Sequence, residues 1–355
     1  MKQSRVERVL ANMEKAGLPQ ILIAEPASIY YLLGHSVDPG ERLYALLLSP
    51  KGAHLFYNAL YPTPSLEGVT AHPYLDAEDP LEALAQTVAA GRLGVDKAWP
   101  ARFVLGLMEK RPDIKPALGS APVDDARRIK DAEELAAMRE ASRLNDRVME
   151  AALRLPQAGM EERALARAIE ELYAQNQADA GAYAGVGFGK NCAEPHHGPD
   201  GSRLAAGEAV LLDIFAPVGR YWCDMTRTVF FRHASDEQKR VYEVVRAANA
   251  AGIGAVRPGV PLCEIDRAAR RVIEEAGFGP YFTHRLGHGI GLACHEPPDC
   301  SASCGQAAEP GMCFSIEPGI YLPGRFGVRV EDLVAVTPDG VEVLNQFPKE
   351  LLVLP

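Results

Sequence analysis

The sequence lacks a long apolar segment, and its longest apolar runs, such as 45–48, are far too short to span a bilayer. Its first residues contain no apolar stretch of the kind found in a secretory signal. Basic residues are also scarce, since 37 Lys and Arg face 47 Asp and Glu and the net charge is −10. Because nucleic-acid ligands require a basic surface, this balance argues against such a partner. We therefore expect a cytoplasmic protein with no membrane or nucleic-acid partner.

Cysteine is absent before Gly189, and all seven cysteines follow it. An odd number at scattered spacings argues against a disulfide framework. Cys300 and Cys304, with His295 nearby, leave a zinc site open as an alternative. The favoured interpretation is a set of reduced thiols, as expected in a reducing compartment.

Apolar periodicity in the first third of the chain predicts a small α/β domain. The predicted elements are a helix over 5–16, a strand over 21–24, a helix over 26–33, a hairpin of the apolar runs 44–48 and 54–60, a helix over 81–90 and a strand over 93–96. The segment 115–122 then contains two prolines and a glycine between periodic segments. We place the domain boundary there, which gives domains 1–122 and 123–355.

The second domain contains two helix pairs, each of which leads into glycine-rich strands. The pairs are 133–153 with 161–175 and 235–256 with 262–276. Asp131 with Glu134, and Ser235 with Gln238, have the spacing of a capping box at the start of a helix. Two similar halves would form a cleft between them. The similarity is weak residue by residue, so a chance resemblance of amphipathic helices remains the alternative.

Two aspartates interrupt neighbouring strands of a predicted hairpin. Asp213 lies in the apolar run 210–215, and Asp224 lies in the strand 221–231 that follows a Pro-Val-Gly-Arg turn. Side chains alternate along a strand, so Asp224 and Thr226 lie on one face. Unpaired carboxylates in a buried strand are costly, and two that face each other repel unless a cation lies between them.

Two glutamates and a histidine follow on later short strands. Glu317 ends an apolar strand before Pro-Gly, and Glu331 alternates with Arg329 along one face of another strand. His288 lies in a glycine-rich loop, and a neutral histidine is the commonest nitrogen ligand of a divalent metal ion. Each residue alone has an ordinary explanation as an ion pair, a loop residue or a turn residue. Together they predict an oxygen-rich cage for two cations, which suits manganese or cobalt better than a thiolate zinc site does.

A glycine motif at Gly185, Gly187 and Gly189 looks like a truncated dinucleotide fingerprint. Such a fingerprint opens a helix, whereas the segment 191–198 contains proline and glycine. A dinucleotide site is therefore not expected.

The motifs resemble those of the pita-bread metallopeptidases, the family of aminopeptidase P, prolidase and their relatives. The resemblance covers essentially the whole chain and rests on the segments Asp224-Met-Thr-Arg227, Gly287-His-Gly289, Ile316-Glu-Pro-Gly319 and Arg329-Val-Glu331-Asp332. It implies a creatinase-like α/β N-terminal domain and an α+β pita-bread catalytic domain. It also implies two divalent ions per subunit, manganese first and cobalt or zinc as alternatives, held by Asp213, Asp224, His288, Glu317 and Glu331.

Accessory residues are similar to those of the proline-specific branch of this family. Pro195-His196 and His295-Glu296-Pro297-Pro298 match its motifs. The resemblance implies that His196 binds substrate or carries protons, that His295 contacts the scissile carbonyl, and that Arg329 lies beside the metals and the substrate. His197 is the alternative to His196. Further candidates for substrate binding are His197, His284 and Tyr221.

The implied activity is hydrolysis of the bond before proline in a dipeptide by a hydroxide that bridges the metals, with Glu317 as general base. In prolidases, the N-terminal domain of one subunit helps to close the site of its partner. By that resemblance, Asp38 and Arg42 in an N-terminal loop are candidates for binding the peptide in a homodimer. The alternatives are an aminopeptidase P that accepts longer peptides and a catalytically inactive module that binds peptides or proteins.

Overall fold

A computed structural model describes all 355 residues, which form two compact units, Met1–Arg127 and Arg128–Pro355. None of the helices is both long and apolar enough to cross a membrane.

The first unit is built on one six-stranded sheet. Its elements are α1 (Gln3–Lys15), β1 (Ile21–Ile23), α2 (Pro26–Leu33), β2 (Ala45–Ser49), β3 (Gly52–Asn58), β4 (Val69–Tyr74), α3 (Glu82–Thr87), β5 (Gly91–Val95), α4 (Ala101–Lys110), β6 (Ile114–Leu118) and α5 (Ala121–Arg128). The strands lie in the order β4-β3-β2-β1-β5-β6. Leu22, Leu47 and Leu93 are buried in the sheet and belong to one core with Leu84 and Leu107 of the helices. The predicted α/β class is confirmed.

The segment 115–122, where the domain boundary was placed, contains β6 and the start of α5. β6 is an edge strand. A proline such as Pro116 is tolerated there, because its missing N–H does not interrupt the hydrogen bonding of a central strand. Pro122 lies in the first turn of α5, which is the position in a helix that tolerates proline. The two units divide after Arg127, beyond the boundary placed at Pro122.

The second unit contains two helix pairs and three sheets. Its elements are α6 (Ala132–Ala152), α7 (Glu162–Gln175), β7 (Tyr183–Phe188), β8 (Ala209–Val218), β9 (Tyr221–Phe231), α8 (Asp236–Ala255), α9 (Leu262–Glu275), β10 (Gly287–Gly289), β11 (Glu296–Cys300), β12 (Cys313–Ile316), β13 (Gly319–Leu322), β14 (Phe326–Arg329), β15 (Asp332–Thr337), β16 (Gly340–Val343) and β17 (Val353–Leu354). The sheet orders are β17-β9-β8-β7, β11-β10-β12-β15-β16 and β13-β14.

Each helix pair packs on strands that follow it in the chain. Leu144 of α6 and Ile169 of α7 share a core with Leu212 of β8. Val245 of α8 and Ile265 of α9 share a second core that includes the strands β12 and β15. Both predicted capping boxes are present at the starts of α6 and α8. The helix faces of these sheets are therefore filled with apolar side chains, which leaves the opposite faces for polar groups.

Candidate metal centre and substrate cavity

The hairpin β8–β9 places two aspartates on the face opposite the helices. Asp213 pairs across the hairpin with Thr226, and Phe215 pairs with Asp224. Leu212, which alternates with Asp213, points into the helix-packed core instead. The hydroxyl Oγ1 of Thr226 lies 3.0 Å from Asp213 Oδ1. The period of two along each strand is thus what gathers these carboxylates.

The second sheet contributes the remaining predicted ligands. His288 lies in β10, Glu317 directly follows β12, and Glu331 lies between β14 and β15. A Cβ atom at position 287 would lie only 1.9 Å from Ser315 O, so only glycine lets β10 approach this closely. Ser315 Oγ accepts a hydrogen bond from His288 N at 3.0 Å and donates one to Glu317 Oε1 at 3.1 Å. This serine therefore connects the histidine to the glutamate.

The orientation of His288 suits it as a metal ligand. Its Nδ1 lies 3.1 Å from Gly289 O, and a carbonyl oxygen can only accept, so Nδ1 carries the proton. The lone pair of Nε2 then faces Asp224 Oδ2 at 3.7 Å and Glu317 Oε1 at 3.5 Å. Burial lowers the pKa of His288 to about 4, so the ring is neutral near pH 7.

The donor set fits divalent cations. The ligand atoms of Asp224, His288 and Glu331 lie within 4.8 Å of one another, and all three residues are buried. Asp224 Oδ1 is buried without a hydrogen-bond partner, and such an atom is costly unless a cation binds it. Burial and neighbouring carboxylates raise the pKa values of Asp224 and Glu331 well above the ordinary range. A bound cation would remove this mutual repulsion, because it stabilises the ionised carboxylates.

Arg329 holds the centre from one side. It is 4% exposed, and its Nη2 donates to Asp213 Oδ2 at 2.7 Å. Its Nε donates to Thr226 Oγ1 at 2.9 Å, and Thr226 Oγ1 also lies 2.7 Å from Glu331 Oε2. Its Nη1 donates to Pro195 O at 3.2 Å. One guanidinium thus fixes a predicted ligand, the hydroxyl between two ligands, and the loop that carries His196.

Tyr321 belongs to the site although sequence reasoning missed it. Its hydroxyl accepts from Arg329 Nη1 at 3.1 Å and lies 2.8 Å from His284 Nε2. The side chain is buried, and burial raises its pKa to about 12, so it remains a neutral phenol. A tyrosine within an apolar strand has the pattern of a core residue, so the sequence alone contained no signal for this role.

A cavity of about 420 Å³ opens onto the carboxylates. It is lined by all five predicted ligands and by most of the predicted accessory residues, namely His196, His197, His284, His295 and Arg329. The rings of His288 and His295 lie with centroids 4.0 Å apart. Burial and the neighbouring His288 lower the pKa of His295 to about 4. The structure therefore brings these residues to one cavity of the size of a small-molecule site.

Three predicted substrate-binding residues do not line this cavity. Tyr221 is buried and its hydroxyl donates to Glu134 Oε1 at 3.2 Å. Arg42 donates two hydrogen bonds to Asp76, at 2.8 and 2.9 Å, within the first unit. Asp38 Oδ1 accepts from Gly40 N at 3.1 Å in the same loop. These contacts occupy each side chain locally, and their part in substrate binding stays a prediction.

Two other sites considered from the sequence, a zinc site at the cysteines and a dinucleotide fingerprint, are not formed in the structure. Cys300 and Cys304 are not gathered with His295 into a cluster of ligand atoms, and burial raises the pKa of the Cys300 thiol. Gly185 and Gly187 lie within β7, and the turn that follows is a short 3-10 helix rather than the start of an α-helix.

Comparison with known proteins accounts for both units. The Creatinase/Prolidase N-terminal domain matches residues 5–129, and metallopeptidase family M24 matches residues 136–338. An uncharacterized peptidase of Staphylococcus aureus is 34% identical over 98% of this chain and 100% of its own length. The match to these two domains confirms the predicted order of a creatinase-like domain and a pita-bread domain.

Two solved structures are similar over nearly their full lengths. A prolidase from Thermococcus sibiricus is 31% identical with a TM-score of 0.93, covering 100% of this chain and 99% of that one. A dipeptidase from Pyrococcus horikoshii is 33% identical with a TM-score of 0.93, covering 99% of this chain and 100% of that one.

Proposed function

This chain belongs to metallopeptidase family M24, and we propose that it is an Xaa-Pro dipeptidase that hydrolyses the bond before proline in dipeptides. The observation that carries the proposal is one cavity in which four carboxylates and His288 meet His196, His284 and His295. The similar structures of a prolidase and a dipeptidase support the substrate class.

The proposed cofactor is a pair of divalent ions in each subunit, with manganese favoured by the oxygen-rich donor set and cobalt or zinc as alternatives. Its ligands would be Asp213, Asp224, His288, Glu317 and Glu331. When bound, such ions lower the pKa of water and polarise a carbonyl group. The unpartnered Asp224 Oδ1 and the carboxylates crowded around it support this assignment.

Glu317 is the proposed general base. Its carboxylate lines the cavity, and Ser315 holds Oε1 by a hydrogen bond of 3.1 Å. The anchored oxygen fixes the direction of the other, Oε2, which would accept the proton of the attacking water. Glu317 thus combines the two roles of ion ligand and proton acceptor.

Two histidines are assigned to opposite stages of the reaction. His295 is neutral near pH 7, and a neutral imidazole that donates a hydrogen bond would stabilise the oxyanion. The nitrogen of proline carries no hydrogen in the peptide, so it must gain a proton as it leaves. His196 lines the same cavity and is the proposed carrier of that proton.

The remainder of the cavity wall is partly apolar. Tyr183, Leu211 and Phe215 line it beside the charged groups of the metal centre. We assign this wall to the apolar parts of a short peptide, since such pockets combine apolar walls with a few oriented polar groups.

Arg42 and Asp38 are proposed to approach the peptide only from a partner subunit, in a homodimer. Arg42 would then exchange Asp76 for the carboxylate of the dipeptide, because both are bidentate acceptors for a guanidinium. Arg42→Ala should therefore slow hydrolysis of an Xaa-Pro dipeptide more than that of its amide. Asp76→Asn is the matched control, since it removes the charged bidentate acceptor and leaves the arginine. Equal effects of Arg42→Ala on both peptides would assign Arg42 to the loop alone.

The decisive experiment compares the rates for an Xaa-Pro dipeptide and an Xaa-Pro-Xaa tripeptide in the presence of manganese. A faster dipeptide supports the proposal, and a faster tripeptide would identify an aminopeptidase P. Hydrolysis of neither peptide, together with a metal content near zero, would identify a binding module without catalysis.

A further inference from the structure

Glu162 is a fully buried carboxylate at the first position of α7. Its Oε1 accepts a hydrogen bond from Phe188 N at 2.7 Å and another from Asn191 Nδ2 at 2.9 Å. Phe188 ends β7, and Asn191 lies in the 3-10 turn that follows it. One oxygen thus connects the start of α7 to the wall of the cavity, which Asn191 also lines.

The second oxygen of Glu162 holds the loop that carries the adjacent histidines. Its Oε2 accepts from His197 Nε2 at 2.8 Å and from Asp200 N at 3.1 Å. A carboxylate only accepts, so Nε2 of His197 carries a proton in this contact. The side chain of His197 is therefore already engaged, which separates it from its neighbour His196.

The loop is held on the other side of His196 as well. Pro195 O, immediately before His196, accepts from Arg329 Nη1 at 3.2 Å. His197, immediately after it, is bound to Glu162. His196 lies between these two anchors and lines the cavity, and no hydrogen bond within the protein holds its ring. Its direction consequently depends on the backbone that the anchors fix.

We propose that Glu162 and His197 are positioning residues that act through His196. Their hydrogen bond fixes the loop backbone, and the backbone directs the His196 ring toward the leaving proline nitrogen. This inference rests on the proposed function, in which His196 carries a proton. It gives the two neighbouring histidines different roles, one toward the substrate and one toward the scaffold.

Glu162, His197 and Asp200 could instead bind a cation, since their ligand atoms lie within 4.8 Å of one another. The contacts favour the hydrogen-bonded arrangement. Asp200 offers Glu162 its backbone N–H, while its own carboxylate accepts from Ser202 N at 2.6 Å. Both oxygens of Glu162 already have two donors each. Asp200→Ala should therefore leave the Glu162–His197 hydrogen bond, the activity and the metal content unchanged.

A double-mutant cycle tests whether the pair acts through His196. His197→Ala should lower kcat by about 100-fold, because a small misplacement of a catalytic group has an effect of this size. In the His196→Ala background the same change should lower kcat no further, since the two residues act as one unit. His197→Gln places an amide donor near the position of Nε2 and should restore most of the rate. A full further loss in the His196→Ala background would overturn the proposal.

A second measurement does not depend on the substrate. In protein with isotope-labelled histidine, the NMR signal of the His196 ring is assigned by its disappearance in His196→Ala. We expect this signal to shift or broaden in His197→Ala and to return toward its position in His197→Gln. An unchanged signal in a folded His197→Ala protein would overturn the positioning role.

Failure of the wild-type protein to hydrolyse any Xaa-Pro peptide would instead contradict the proposed function. Loss of one metal equivalent in Asp200→Ala would identify a cation site and overturn the hydrogen-bonded positioning role of Glu162 and His197.

Discussion

Arg329 Nη2 lies 2.7 Å from Asp213 Oδ2, and the guanidinium is almost completely buried. The same side chain reaches Thr226, Pro195 and Tyr321. A cation is thus built permanently into the edge of the carboxylate cluster. Arg329 orients one predicted ligand and the loop that carries His196 at the same time, and its removal should affect both.

Arg329→Lys should weaken the centre although it keeps the positive charge. A lysine ammonium is a point charge and cannot reproduce the planar set of donors that bind four partners. Loss of one charge-assisted hydrogen bond corresponds to about 1.5–3 kcal/mol. This is about 10- to 150-fold in kcat/KM. Steady-state rates on an Xaa-Pro dipeptide measure it.

Arg325→Lys is the matched control for this substitution. Arg325 is half-exposed and pairs with Glu237 at the surface. Its replacement should leave kcat/KM unchanged. Equal rates for Arg329→Lys and wild type would show that the site requires only the positive charge and not the planar N–H donors of the guanidinium.

His288→Ala should remove metal as well as activity. His288 is the one nitrogen donor of the predicted set, and the mutation leaves Asp224 and Glu317 without a third partner. Loss of a residue that hydrogen-bonds to a metal ligand already lowers metal affinity by about 10- to 100-fold. Loss of the ligand itself should therefore lower the affinity further. Elemental analysis after manganese loading should give a ratio near two for wild type and a clearly lower ratio for the variant.

His233→Ala is the comparison for this measurement, because His233 is exposed and lies outside the cavity. It should keep the metal content of the wild type. A full metal content in active His288→Ala protein would contradict the ligand assignment.

The sequence points to two of the five proposed metal ligands because each is a charged residue in an otherwise apolar strand. Asp213 and Asp224 stand out for that reason, and the register of β8 and β9 brings them to one face as expected. The starts of α6 and α8 could also be predicted, because a capping box is a local sequence pattern. Information of this kind is contained within a few neighbouring residues.

Other features depend on partners that are remote in sequence. β4 lies largely exposed at the edge of the sheet, so it shows no apolar run. Glu162 has the sequence pattern of an ordinary acidic residue in a first helical turn, and its partner His197 lies on a later loop. Tyr321 likewise has the pattern of a core residue until the fold brings Arg329 to it. In the segment 115–122, the prolines that suggested a domain boundary lie in an edge strand and at a helix start, and only the fold reveals these positions.

Tyr321→Phe should reduce both stability and activity. It removes the hydroxyl between His284 Nε2 and Arg329 Nη1 without changing the shape of the core. A buried polar group that loses its partner costs about 1–3 kcal/mol of unfolding free energy. Chemical denaturation should show this loss, and kcat/KM should fall because Arg329 is less firmly held. Tyr281→Phe, at an exposed tyrosine, is the control and should change neither quantity.

The stability of the metal-free protein should fall as pH rises above about 6.5. The folded state raises the pKa values of Asp224 and Glu331, so it keeps protons that the unfolded chain has lost. Their contribution is complete below the unfolded pKa and is lost as pH rises toward the folded value. His288 and His295 act in the opposite direction, because their folded pKa values are lowered to about 4. That contribution is present above the ordinary histidine pKa of 6.5, so between this value and the titration of the thiols the two carboxyl groups set the sign.

Thermal unfolding after chelation, measured between about pH 6.5 and 8, tests this sign, because the unfolded thiols titrate only near pH 8.5 and above. The Tm of the chelated protein should decrease across this window. Asp224→Asn removes one of the two carboxyl groups and should make the decrease smaller. Manganese would bind the ionised carboxylates, so the gain in Tm on adding it should grow with pH. A metal-free Tm that rises with pH would show that these two carboxyl groups are not held protonated in the folded protein.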